Sequence, residues 1–157
     1  MFKSITIKRK PLLGHLGTLS LMLATMTAIT ACAEPQPSAA NVESLSDLRW
    51  RYRLILIAAP EGAARQLKAM QENQAKLDER NVVWIVIDEH SAQSNLLLPL
   101  NLPVVAEVKA LLGKSKVILI GKDGGVKARA EELNLEELFQ LIDSMPMRQR
   151  EMTLTSD

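Results

Sequence analysis

The sequence predicts a three-layer α/β domain around a mixed four-stranded sheet, in the chain order β-α-β-α-β-β-α. Two short apolar runs, 54–59 and 82–87, flank a segment whose apolar residues recur at helical spacing. A glycine-rich turn at 121–125 separates two further strand-like runs, and an apolar stripe with a capping residue in front of it follows. A helix between two buried runs implies a right-handed βαβ unit with parallel strands, whereas a tight turn between two strands implies an antiparallel hairpin.

The first strand is Leu54-Ile55-Leu56-Ile57-Ala58-Ala59, bounded by Pro60 and Gly62. A continuous apolar run of that length is the pattern of a strand buried on both faces. Ala63, Leu67, Met70 and Leu77 then fall on one face of a helix expected to run to about Arg80. Val82-Val83-Trp84-Ile85-Val86-Ile87 is the second buried strand, with Asp88-Glu89-His90 just past its carboxyl end. Residues 91–103 are apolar but twice interrupted, by Pro99 and Pro103, so an irregular connection is expected there. Val104, Val105, Val108, Leu111 and Leu112 have helical spacing and Gly113 stands where a left-handed cap is favoured. Residues 116–120 and 126–130 are the hairpin strands, joined by Gly121-Lys122-Asp123-Gly124-Gly125. In the last helix Asn134 can cap, Glu137 sits at the third position, Leu135, Leu138, Phe139, Ile142 and Met145 form the apolar stripe, and Pro146 ends it.

Ahead of the domain the chain has a basic stretch to Lys10, an apolar stretch from about Leu12 to Ala31, and then small residues and prolines. That order is a secretory signal peptide over 1–31; the rival transmembrane reading is weakened by Gly14, His15, Gly17 and the threonines that dilute the apolar stretch. Residues 32–43, with Pro35 and Pro37 and few large apolar side chains, read as a flexible tether. The folded domain is expected over 44–152 and a short tail over 153–157. The single cysteine, Cys32, lies in Ile29-Thr30-Ala31-Cys32, which resembles the lipobox of bacterial lipoproteins. The resemblance implies acylation of Cys32 and, from Ala33 after it, the periplasmic side of the outer membrane. Ala31-Cys32-Ala33 also fits the small-x-small pattern of ordinary signal cleavage, which would leave a soluble periplasmic protein.

Composition narrows the function classes. The chain of 157 residues carries 19 basic and 18 acidic side chains. Without the four basic residues of its first ten positions it has 15 against 18, a net charge of −3. A mildly acidic domain lacks the clustered basic face that nucleic acid requires. No nucleic-acid partner is expected.

Two parallel strands, a hairpin and helices for both faces make the arrangement thioredoxin-like. Three motifs in order, Leu48-Arg49-Trp50-Arg51-Tyr52-Arg53, Gly121-Lys122-Asp123-Gly124-Gly125-Val126-Lys127 and residues 142–152 from Ile142 to Met152, also resemble a bacterial domain-of-unknown-function family, number 4174. That family is related to the thioredoxin-like domains of sushi-repeat and matrix-associated animal proteins. The resemblance implies a peroxiredoxin-like fold without an established activity.

Thiol chemistry is excluded by residue type. A redox thioredoxin fold needs a cysteine of low pKa just after the first strand, and Pro60-Glu61-Gly62-Ala63-Ala64 stands there instead. The loop before the third strand, Gly113-Lys114-Ser115-Lys116, lacks the proline that redox-active relatives place opposite the thiol. Asp88, Glu89 and His90 are the best candidates for cysteine-independent chemistry or metal ligation, but consecutive residues rarely converge on one ion and His90 has no histidine partner in the mature chain. Glu131, Glu132, Glu136 and Glu137 suit the positive end of the last helix. The turn at 121–125 joins strands rather than opening a helix, so it is no phosphate loop. Trp50 and Trp84 read as packing residues.

Arg49, Arg51 and Arg53 alternate before the first strand, and Arg148 and Arg150 alternate near the end. They form an anion-attracting interaction surface if the two segments meet, and ordinary pairs with carboxylates otherwise. The leading expectation is a non-catalytic, lipid-anchored domain that binds an envelope protein or another envelope component. The alternative is an enzyme acting through Asp88, Glu89 and His90. Neither cofactor nor metal is expected.

Overall fold

The computed structural model describes residues 42–97 and 99–155. The expected leader, Cys32 and nearly all of the tether lie outside the described residues. A 3-10 turn over Leu45–Leu48 leads into β1 (Arg53–Ala58), α1 (Ala64–Glu72), α2 (Gln74–Glu79), β2 (Val82–Ile87), β3 (Ala92–Ser94), α3 (Leu102–Leu112), β4 (Val117–Ile120), β5 (Val126–Ala130), α4 (Leu135–Asp143) and α5 (Pro146–Thr155). The sheet order is β3-β2-β1-β4-β5. β1 and β2 run parallel in the register Arg53 to Val82 through Ala58 to Ile87, and the other three pairings are antiparallel.

Alternate side chains of each strand point to opposite faces, so the continuous apolar runs supply two cores. Ile55, Ile57, Trp84, Val86, Val117 and Leu119 pack with Met70, Leu77, Leu138, Phe139 and Ile142, which places α1, α2 and α4 on one face. Leu54, Leu56, Val83, Ile85, Ile118 and Ile120 pack with Leu45, Leu48, Val104, Val108 and Leu112, which places the 3-10 turn and α3 on the other. The expected three layers are present.

Four local expectations are corrected. The sheet has five strands, not four: β3 lies inside the segment read as an irregular connection. It is a three-residue edge strand with only partly buried side chains, so no apolar run announces it. Beyond it the Asn95 side chain continues the ladder, accepting from Trp84 N–H at 3.0 Å and donating to the Val82 carbonyl at 3.0 Å. The helix expected over 63–80 is two helices, because Asn73 leaves helical geometry and turns its amide onto the Ala69 carbonyl at 2.9 Å.

Prolines accounted for the other two differences. Pro103 sits in the first turn of α3, where its missing N–H is one that a helix cannot use anyway, and Asn101 caps that turn by accepting from Val104 N–H. Pro146 ends the run of α4 and also opens α5, which continues into the residues expected as a tail.

Candidate functional site

The three motifs of the sequence meet at one end of the sheet, where β1 begins and β4 ends. Arg53, the first residue of β1, is 1 % exposed. Its guanidinium donates to the Arg80 carbonyl at 2.8 Å and to both carboxylate oxygens of Glu151, at 3.1 and 3.4 Å. Lys122 from the hairpin turn reaches the same carboxylate at 2.8 Å. Burial raises the Glu151 pKa, but the hydrogen bonds from Lys122 and Arg53 outweigh it and hold the carboxyl below its ordinary range.

Arg148, also buried, forms the companion cluster. It donates to Glu79 Oε1 at 2.6 Å, to the Glu79 carbonyl at 2.9 Å and to Asp143 Oδ1 at 3.2 Å. Arg80 takes the other Asp143 oxygen at 2.6 Å and lies over the Phe139 ring at 4.8 Å. Asp143 likewise titrates low: burial opposes its charge, and Arg80 and Arg148 overcome that opposition. Charged, multiply bonded pairs of this kind fix α5 against β1, α2 and α4.

On the other side of the hairpin turn the segment before β1 is clamped to it. Trp50 N–H donates to the Lys122 carbonyl at 2.6 Å, and Arg49 donates to the Asp123 carbonyl at 2.8 Å. Gly124 has φ +81 and lies so close beneath Arg49 that a Cβ there would stand 2.6 Å from Arg49 Nε. Asp123 is held low by its 2.6 Å pair with Lys127 and by Gly125 N–H. Trp50 itself has φ +65, a left-handed backbone that a bulky residue rarely adopts, and the residue is 64 % exposed.

Between this turn, the 3-10 segment and α3 lies a cleft of about 410 Å³. Leu45, Leu48, Ile120 and Val126 supply apolar lining; Arg49, Tyr52, Glu107 and Asp123 supply polar groups. Glu107 is placed by the Ser44 hydroxyl and Leu45 N–H, which donate to it at 3.1 and 2.9 Å. Apolar walls with a few placed polar groups suit a bound side chain or peptide segment.

The five arginines expected as one surface divide. The two segments do approach each other, but Arg53 and Arg148 are buried in ion pairs and present no surface. Arg49, Arg51 and Arg150 are exposed, and Arg51 lies over the Tyr52 ring at 5.4 Å. Glu79 and Glu107 carry no signal in the sequence, and Lys122, Asp143 and Glu151 enter it only as members of the motifs. Arg53 and Glu151 stand 98 positions apart, and no local spacing links them.

At the opposite end of the sheet, the carboxyl end of β1 opens on a smaller cleft of about 220 Å³ lined by Pro60, Glu61, Arg65, Gln66, Lys116 and Glu131. Ala63 precedes α1 with no side-chain cap, and no nucleophilic side chain stands between β1 and that helix. Glu131 and Glu132 rim this cleft, while Glu136 and Glu137 lie in the first turn of α4 behind the Asn134 cap. Trp84 is buried and donates its indole N–H to Gln74 at 3.0 Å.

Asp88 closes a turn: its carboxylate accepts from the N–H groups of His90 and Ser91 and from the Ser91 hydroxyl. Those bonds, the His90 one first, lower its pKa. Glu89 and His90 are exposed beside it, and no group of three or more metal-ligating side chains occurs among the described residues. No described helix is long and apolar enough to cross a membrane.

Residues 44–151 match a family described as Domain of unknown function (DUF4174). No curated protein and no solved structure matches the chain.

Proposed function

Because the chain belongs to that family of unknown function, we propose from its geometry a non-catalytic protein-binding domain, thioredoxin-like in fold, held at a bacterial envelope membrane through an acylated Cys32. The fold reading is supported by the order β2-β1-β4-β5, a parallel pair followed by an antiparallel hairpin, with β3 as an added edge strand. The absence of thiol catalysis is supported by residue type. Where a thioredoxin-like thiol would stand the chain has Ala59-Pro60-Glu61-Gly62-Ala63, and its one cysteine precedes the domain.

The observation that carries the binding reading is the cleft beside the hairpin turn. Its walls are apolar, Val126 is exposed at its edge, and Arg49, Tyr52, Glu107 and Asp123 give it polar specificity. Its occupant is a segment of an envelope protein.

A photo-reactive residue at Val126 tests this in living cells, with the same group at Arg65 and an unrelated lipoprotein as controls. One envelope protein captured from Val126 and from neither control supports the reading. Identical capture from all three overturns it. Intact mass tests the anchor separately, because an unmodified mature chain beginning at Glu34 refutes acylation of Cys32.

A further inference from the structure

We infer that the end of the sheet carrying Leu97, Leu102 and Trp50 is a lipid-contact face, laid against the bilayer that holds the acylated cysteine; this rests on the proposed anchor. The tether enters the domain beside the cap of α3. Val42 is fixed there, its carbonyl accepting from the Asn101 side chain at 3.0 Å. Asn101 is the capping residue of α3, so the point of entry adjoins the loop between β3 and α3.

Chain length then limits how far this point can stand from the membrane. Ten residue steps separate Cys32 from Val42. Ten residues reach at most ~36 Å even when fully extended. The loop at the entry point is therefore confined close to the headgroups, where a weak surface contact acts at high effective concentration.

The composition of that loop fits the position. No charged residue occurs from Ser91 to Ala106. Leu102 is 83 % exposed and Leu97 is 64 % exposed, although neighbouring Leu96 is buried in the core. Asn95 bonds to Val82, which pairs with Arg53, so the loop lies at the same end of the sheet as the start of β1. Trp50 precedes β1 at that end, exposed between the exposed Arg49 and Arg51. Leucines that enter the acyl boundary, an indole at headgroup level and the exposed Arg51 guanidinium for lipid phosphate form an interfacial set. Two leucines would not hold an untethered protein but suffice to orient a tethered one.

The mature lipidated protein, reconstituted in vesicles of phosphatidylethanolamine and phosphatidylglycerol, provides the test. An acylated Cys32 leaves the chain without a free thiol, so Leu102→Cys and Lys114→Cys each accept a single environment-sensitive label; Lys114 is exposed at the opposite end of the sheet. The label at 102 is expected to shift to the blue and to be quenched by nitroxide-bearing lipid, while that at 114 does neither. Leu97→Asp is expected to reverse both effects at 102. Equal solvent exposure of the two labels on protein whose mass proves acylation overturns the lipid-contact face alone. A mass without acyl chains overturns the anchor and the face together. Shielding of 102 in cells but not in vesicles assigns the loop to a protein and overturns the lipid assignment.

Discussion

Arg53 opens the central strand and Glu151 lies in the middle of α5, yet the two pair at 3.1 Å with the arginine almost wholly removed from solvent. The pair makes α5 part of the domain rather than an appendage. Removing one partner leaves the other charge without its counter-ion, and the cost of such a deletion in a buried site is about 3–5 kcal/mol. Glu151→Ala is expected to lower the unfolding free energy, measured by urea titration, by an amount in the lower part of that range, since Glu151 itself is partly exposed. Arg53→Met, which removes the buried charge and keeps its bulk, is expected to cost less. A midpoint unchanged by Glu151→Ala would show that the pair does not hold the helix.

Acid should release the same clusters. Asp143 and Glu151 are raised by burial and lowered further by their arginine and lysine partners, with a net fall below the ordinary carboxylate range. A depressed folded-state pKa contributes stability that is complete above the unfolded-state pKa and is lost as the pH falls through the folded-state value. The unfolding midpoint should therefore be level near neutrality and fall below about pH 5. Asp143→Asn and Glu151→Gln should each be less stable at neutral pH and show a shallower acid decline, measured by thermal melts across the series.

The clamp between Arg49 and the hairpin turn predicts a non-additive double mutant. Gly124→Ala combines a left-handed backbone with a Cβ 2.6 Å from Arg49 Nε, and the backbone term alone is worth about 1 kcal/mol. In an Arg49→Ala background the steric part disappears, so Gly124→Ala should cost measurably less there than in the wild type. Equal costs in the two backgrounds, from denaturant melts of all four proteins, would contradict the close approach.

Trp50 should be worth more to contact than to folding. Its left-handed backbone costs ~1–2 kcal/mol for an L-residue, and most of the residue lies in solvent. Trp50→Gly is expected to leave the urea midpoint unchanged or higher while reducing the quenching of a label at 102 in vesicles. A large loss of stability would instead make Trp50 a packing residue, as the sequence alone suggested.

Much of the architecture was legible because it depends on local pattern. The apolar runs of β1, β2 and β4, the stripe of α4 and the Asn134 cap are periodic or adjacent in sequence, and burial follows periodicity directly. Element boundaries were less legible where one side chain could satisfy the backbone in two ways. Pro103 looked disruptive but opens α3, and Asn73 gave no signal but breaks the expected helix by turning its amide onto the Ala69 carbonyl. β3 left no apolar signal because an edge strand buries little.

The sequence by itself determined the two buried faces, the parallel pair and hairpin, and the absence of a thiol from the domain, since these need only residue type and spacing. The tertiary structure decided what the charged residues do. Arg53 and Arg148 belong to the same alternating patterns as the exposed Arg51 and Arg150, and only packing against Glu151, Glu79 and Asp143 separates them. Ion pairing depends on distance in space, and residues 98 positions apart acquire that distance only when the sheet and its helices close around them.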